Sequence, residues 1–201
     1  MTALLTLILV LAAQAPPPTP TLASVSAALR SAPAWQSRFE QRYVPAGFDV
    51  GTTDSGTVLA SAPGQVRFDY AGDDPRVFAF DGAVARMVDA RAGTCDAVRL
   101  DDRKVGSLPL AVLLDPERAA GAFETTSVEG ALRLVPREAN PDVKEIRLWA
   151  GPDGLPNQLV IVDGSDNHNQ FTFAGWTRAT APELAAFRPA LPSQPPCPPH
   201  D

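Results

Sequence analysis

Residues 56–82 read GTVLASAPGQVRFDYAGDDPRVFAFDG, and the order of strands and turns within them decides the fold class. Val58 to Ser61 is a short strand-like run that Pro63-Gly64 turns. Val66-Arg67-Phe68-Asp69-Tyr70 then alternates apolar and charged residues, the pattern of a strand with one dry face and one wet face. Gly72, Asp73, Asp74 and Pro75 make a second turn. Val77 to Phe80 is a third strand, closed by Asp81-Gly82, two residues that tolerate positive φ. Parallel strands need long crossovers, so three strands joined by tight turns form an antiparallel meander. The face carrying Val66, Phe68 and Tyr70 must cover something apolar, and Arg67 points the other way.

Upstream, Leu22, Val25, Ala28 and Leu29 fall at helical spacing within 21–30, and Pro33 stops the run. Ala34 to Val44 sets Trp35, Phe39 and Tyr43 among polar residues, a long first strand, and 45–55 is the loop that follows. Downstream, Val84 to Val88 and Thr94 to Leu100 continue the meander, and Asp101 to Lys104 is a charged loop. Residues 108–116, LPLAVLLDP, change character: a short apolar helix between prolines, with Leu110, Leu113 and Leu114 on one face. Strands then resume at 123–128, 130–136, 143–150, 158–162 and 170–174, separated by Gly, Pro and Asp-rich turns. A short segment at 182–187 and a Pro-rich tail, 189–201, which reads as disordered, complete the chain. The sum is about ten or eleven antiparallel strands with two or three short helices, in one domain without a fixed repeat.

The 201 residues suffice for one substantial core. Residues 1–15, MTALLTLILVLAAQA, hold an apolar run too short to span a bilayer and end in a small-x-small cleavage pattern. They read as a secretory signal peptide, followed by a Pro-rich linker at 16–20. An exported chain permits a disulfide between its two cysteines, Cys95 and Cys197, with two free thiols or an intermolecular bridge as the alternatives. Seventeen basic against 23 acidic residues give a net charge of -6, with no basic cluster, which argues against nucleic acid as a partner.

Catalytic patterns are missing. The two histidines, His168 and His200, have no ligand partner at metal-site spacing. There is no G-x-S-x-G, P-loop or G-x-G-x-x-G. The run Asp163 to Asn167 lacks the carboxylate spacing of a calcium loop and reads as a hairpin turn. No catalytic residue, metal or cofactor is expected, and the balance leans towards binding.

The order of elements resembles the outer-membrane lipoprotein carrier family, LolA. The resemblance rests on Phe39-Glu40-Gln41 after an amphipathic helix, then Gly56-Thr57-Val58-Leu59, the Pro63-Gly64 turn, Arg67-Phe68-Asp69-Tyr70 and the strand ending in Asp81-Gly82. Pro109 to Leu114 falls where the family has a lid helix, and Leu134-Val135-Pro136, Asp153-Gly154 and Phe171-Thr172-Phe173 match later motifs. The likeness runs from about residue 21 to 190. It implies a mainly β fold: an incomplete, open antiparallel β-barrel with short α-helices as a lid over an apolar cavity, the body occupying 21–188. By the same resemblance Leu59, Val66, Phe68, Tyr70, Phe78 and Phe80 line the cavity, and Leu110, Leu113 and Leu114 close it. Two positions depart from the family: Ala62 stands where an arginine latches the lid, and Leu59 where an aromatic is common.

The implied function is a monomeric periplasmic carrier for lipoprotein acyl chains. It would be loaded by an inner-membrane ATP-driven transporter and would deliver to an outer-membrane acceptor. Two alternatives stay open: a periplasmic lipid-binding or sensor module of the same fold without transfer activity, and a small secreted hydrolase using carboxylates. Amphipathic strands do not separate a hollow interior from a filled one.

Overall fold

A computed structural model describes residues 19–101, 104 and 108–200. The expected signal peptide, most of the linker before residue 21 and much of the 101–104 loop lie outside the described residues.

The chain starts with α1 (Leu22–Leu29), opened by a capping box in which Thr21 and Ser24 exchange hydrogen bonds. Val25 and Leu29 are buried, and Trp35 Nε1 donates to the Leu29 carbonyl at 2.9 Å, fixing the helix end over the first strand. Six strands follow as a meander: β1 (Ala34–Val44), β2 (Thr52–Ser61), β3 (Gln65–Tyr70), β4 (Arg76–Phe80), β5 (Val84–Asp89) and β6 (Thr94–Arg99). Two helices, α2 (Pro109–Leu114) and α3 (Pro116–Ala122), lead to a second meander. It comprises β7 (Phe123–Val128), β8 (Ala131–Pro136), β9 (Glu145–Ala150), β10 (Pro156–Val162) and β11 (His168–Ala179). A 3₁₀ turn, Leu184–Phe187, follows.

All eleven strands form one antiparallel sheet in the order β6-β5-β4-β3-β2-β1-β11-β10-β9-β8-β7. The two meanders are joined where β1 pairs β11, and β6 and β7 are left as edges, so the barrel is open. Because α2 and α3 link those two edges in sequence, their segment has to pass from one margin of the curved sheet to the other. It does so over the concave face, where Leu110 to Leu114 join Val58, Phe68 and Phe80 in one apolar core. The all-apolar sequence of α2 is explained by this position: all five residues after Pro109 are buried, as expected of a helix without a polar face. Asp115 then caps α3 by accepting from the Arg118 N–H, with Pro116 at the first helical position.

The meander of 56–82 has the facing expected from its alternation. Gly64, at φ +84°, turns β2 into β3, and a Cβ there would come within 3.1 Å of the Ala111 carbonyl oxygen, so the turn lies against α2. Several boundaries differ from the sequence reading. β2 begins at Thr52 rather than beyond Ser55, β9 begins at Glu145, β11 runs on to Ala179, and the Pro116–Ala122 helix was not foreseen.

The tail is a second correction. Instead of being disordered, residues 189–200 follow the 184–188 segment back over the convex face of β3–β6. Phe187 is fully buried there, Arg67 Nη1 donates to the Ala186 carbonyl at 2.8 Å, and Arg188 pairs with Asp81 at 3.0 Å. A disulfide joins Cys197 to Cys95 on β6. Beyond it, His200 forms a parallel bridge with Val98, its N–H donating to Ala97 and its carbonyl accepting from Arg99. Proline-rich composition kept this segment from forming a core of its own; partners on the sheet supply one.

Candidate functional site

The β2–β5 register sorts the concave side chains into ranks. Val58 lies opposite Phe68, Phe68 opposite Phe78, and Phe78 opposite Met87. One rank nearer the Gly64 turn are Ala60, Val66 and Phe80, and one rank further away Gly56 lies opposite Phe39 and Tyr70. Gly56 has no side chain because a Cβ would lie 3.0 Å from the Phe39 ring and 2.0 Å from the Asp69 carbonyl oxygen. Phe39 therefore lies flat across β2, in edge contact with Phe68 and Tyr70, each at 5.1 Å between ring centroids. Phe171 joins Phe68 at 5.7 Å, and so the two meanders share one aromatic floor.

Above this floor the structure has a cavity of about 190 Å³. Val66, Phe68, Tyr70 and Phe78 line it from the first meander. Leu159, Ile161, Phe171 and Phe173 line it from the second, and Leu108, Pro109 and Leu110 stand at its α2 side. Met87 and two amides, Gln41 and Asn169, complete the wall.

The residues named from sequence divide accordingly. Val66, Phe68, Tyr70, Phe78 and Leu110 meet at the cavity. Phe80 faces the same side but is fully buried in packed core near the turn, and Leu113 and Leu114, each 1% exposed, are packed core under the helix rather than cavity wall. Leu59 is a correction. It lies opposite Arg67, on the convex face, because its neighbours Val58 and Ala60 are the ones that pair with Phe68 and Val66. Among the residues not foreseen, Gln41 was within reach: alternation along β1 puts it on the same face as Phe39. The Phe171-Thr172-Phe173 alternation likewise marked one face of β11. Leu159 and Ile161 alternate on β10 in the same way.

Electrostatically the cavity is neutral. Burial, chiefly, pushes the Tyr70 phenol up to about 12; Arg76 pulls the other way and Asp54 adds to the rise, so the group stays protonated. The Arg76 guanidinium is 4.6 Å from the Tyr70 ring centroid and pairs with Asp54 at 2.8 Å. A second hollow, about 440 Å³, lies on the convex face between β3–β5 and the tail, with Arg67, Asp69, Arg76 and Pro189 among its walls. Charged walls make it a poor host for an alkyl chain, since burying those groups against hydrocarbon carries a desolvation cost. Among the described residues, no group of three or more His, Cys, Asp or Glu side chains could hold a metal ion.

Residues 30–190 match the family model of the outer membrane lipoprotein carrier protein LolA. No curated protein matches the chain. Among solved structures, an uncharacterized conserved protein from Thermus thermophilus has a TM-score of 0.50 at 12% identity, over 87% of this chain and 93% of its own. A LolA superfamily protein from Nitrosomonas europaea has a TM-score of 0.49 at 9% identity, over 83% and 94%. A putative outer membrane lipoprotein-sorting protein domain from Vibrio parahaemolyticus has 0.49 at 11%, over 83% and 95%. At 12% identity the Thermus likeness bears on the fold alone.

Proposed function

Because the chain belongs to the outer membrane lipoprotein carrier protein LolA family, we propose that it is a periplasmic carrier that takes up the acyl chains of lipoproteins at the inner membrane and delivers them to the outer membrane. The observation that carries this reading is the neutral, aromatic-lined cavity on the concave face beneath α2. Residues 1–15 act as the signal peptide, and 21–188 form the carrier body. Val66, Phe68, Tyr70 and Phe78 are its acyl-contacting residues, and Leu110 with α2 is its lid.

Physical chemistry supports the assignment. An acyl chain moved out of water gains about 0.8 kcal/mol per buried CH₂, so the host needs apolar walls and no reacting group. At about 190 Å³, the cavity falls below the roughly 300–1,000 Å³ of ordinary ligand sites. Cargo with two or three chains therefore requires α2 and α3 to move outward. These two helices are short and carry little stability of their own, whereas the strands beneath them are paired throughout. The partners on this reading are an ATP-driven lipoprotein-release transporter and an outer-membrane acceptor. The protein itself performs no covalent chemistry.

The test uses protein purified from the periplasm and analysed by mass spectrometry for bound lipid or lipoprotein. Purified empty protein is also mixed with inner-membrane vesicles that hold the transporter, and ATP is added. A carrier brings acylated lipoprotein into the soluble fraction. Lipid in the first assay with no release in the second would identify a lipid-binding module without transfer activity. No lipid in either would overturn the cavity assignment.

A further inference from the structure

One wall of the apolar cavity is polar, and its polarity is organised. Tyr70 Oη donates to Gln41 Oε1 at 2.7 Å, and Gln41 Nε2 donates to Asn169 Oδ1 at 2.9 Å. The three residues come from β3, β1 and β11 and meet because β1 lies between β2 and β11 in the sheet. Each is only partly buried and faces the cavity beside Phe68 and Phe171.

Such a relay is costly in an apolar concavity unless its members are satisfied, and leucine-sized side chains would fill the same space without that cost. The hydrogen-bond inventory indicates what the relay presents. A phenol has one donor and an accepting oxygen, and a primary amide has two donors and an oxygen with two lone pairs. The phenol donor and both amide oxygens are engaged within the trio. One Gln41 N–H and both Asn169 side-chain N–H groups remain for something other than the described protein. The wall therefore has three N–H donors to offer a ligand.

Charge narrows the acceptor. Arg76, the cation over the Tyr70 ring, is paired with Asp54 at 2.8 Å and has Asp74 at 3.9 Å. No excess positive charge is present to draw a carboxylate, so a neutral carbonyl fits the site better. Position agrees as well. The trio lies on the Tyr70 side of the aromatic floor, away from the Gly64 turn that touches α2.

We propose that Gln41, Asn169 and Tyr70 form a carbonyl-recognition site that holds the ester or amide group through which an acyl chain is attached, with the chain extending over Phe68 and Phe171 towards Leu110. This rests on reading the cavity as an acyl site. It adds polarity to that reading: the cargo enters in one orientation, and acyl esters and amides bind in preference to plain hydrocarbon and to free fatty acid.

The experiment measures displacement of the fluorescent probe 1-aminoanthracene from the full chain by methyl octanoate, octanoate and octane. It compares the natural protein with Tyr70→Phe and with the double variant Gln41→Leu/Asn169→Leu. The natural protein should bind methyl octanoate roughly two- to tenfold more tightly than octane, the scale of one or two net hydrogen bonds. Both variants should lose that preference, the double variant by removing the free donors and Tyr70→Phe by releasing the Gln41 amide that its hydroxyl orients. An ester preference that persists in the variants, or its absence from the natural protein, overturns the proposal. So does tighter binding of octanoate than of the ester. If no competitor displaces a bound probe from the natural protein, or the probe does not bind, the acyl-cavity reading itself fails, and this proposal with it. Should the double variant not fold by circular dichroism, Tyr70→Phe, which removes a single hydroxyl, decides.

Discussion

Removing the Cys95–Cys197 disulfide should lower the melting temperature by roughly 10–20 °C while leaving the tail docked. The bridge joins residues 102 apart in sequence. Closing a loop of about that length removes chain entropy from the unfolded state worth about 4.7 kcal/mol at 25 °C. In a domain of this size each kcal/mol moves the midpoint by about 2–4 °C, which gives the stated range. The 184–188 segment that anchors the tail does not depend on the bridge alone. Phe187 is fully buried, and burying a phenylalanine contributes about 1.5–3 kcal/mol. The Arg67 bond to the Ala186 carbonyl and the Arg188–Asp81 pair hold the same segment. The loss therefore falls on global unfolding rather than on local release. The assay is a thermal melt of Cys95→Ser/Cys197→Ser against the natural protein, with amide exchange across 184–200 as the local readout. A midpoint within about 3 °C of the natural protein would refute the loop-closure argument. Early loss of protection at 184–188 alone would refute the claim that the tail stays docked.

Phe68→Glu places a carboxylate among four aromatic rings, at an expected cost of several kcal/mol to acyl binding; equal affinity for a fluorescent fatty-acid probe in two folded proteins would remove Phe68 from the cavity. Burial opposes ionisation of Asp81, but the Val84 and Ala83 N–H groups with Arg86 and Arg188 outweigh it and hold the carboxyl below its ordinary value. A depressed folded value stabilises above the unfolded pKa, near 3.9, and that contribution is lost as pH falls through the folded value. Amide protection at 184–188 should accordingly be pH-independent from 5 to 8 and fall below about pH 4; protection unchanged at pH 3 would refute this. Ala62→Arg supplies donors at the turn that lies against α2. A charge-assisted bond of about 1.5–3 kcal/mol to helix carbonyls should slow probe entry more than tenfold, and identical stopped-flow rates would show that no such latch forms.

The sequence was informative wherever alternation was strong. Val66 to Tyr70 fixed which side chains face inward and placed Arg67 outside, and the structure has Arg67 on the convex face, bound to Asp69 and the Ala186 carbonyl. Thr52 to Gly56 has no apolar member, so the start of β2 was invisible and the loop before it was read as too long. The same gap hid the facing of Leu59, which only the β2–β3 register decides. Depth along a strand was also illegible. Phe78 and Phe80 share a face, yet one borders a cavity and the other is packed core, because the distance from the helices sets which is covered. The polar trio spans Gln41, Tyr70 and Asn169, and only the β1–β11 pairing joins positions that distant. The tail was misjudged for a related reason: composition reports whether a segment can form its own core, not whether another surface will hold it.

The two faces of the sheet have opposite mechanical roles on the carrier reading. The convex face of β3–β6 is fastened by the disulfide, by Phe187 and by the paired charges of Asp81, Arg86 and Arg188. The free edge of β6 is met by His200, which reduces its availability for strand addition from another chain. Flattening that half of the sheet to enlarge the cavity would strain all of these contacts together. On the concave side, α2 and α3 each begin with a proline and join the two sheet edges without pairing to either as strands. Enlargement of the cavity therefore proceeds through the helices. Its cost offsets part of the gain from burying each methylene, because packed leucines such as Leu113 and Leu114 must leave their neighbours before the chain can replace them. An empty form with a small cavity thus binds cargo less tightly than a rigid preformed hollow of the same chemistry would. A carrier that must also release its cargo requires this moderated affinity.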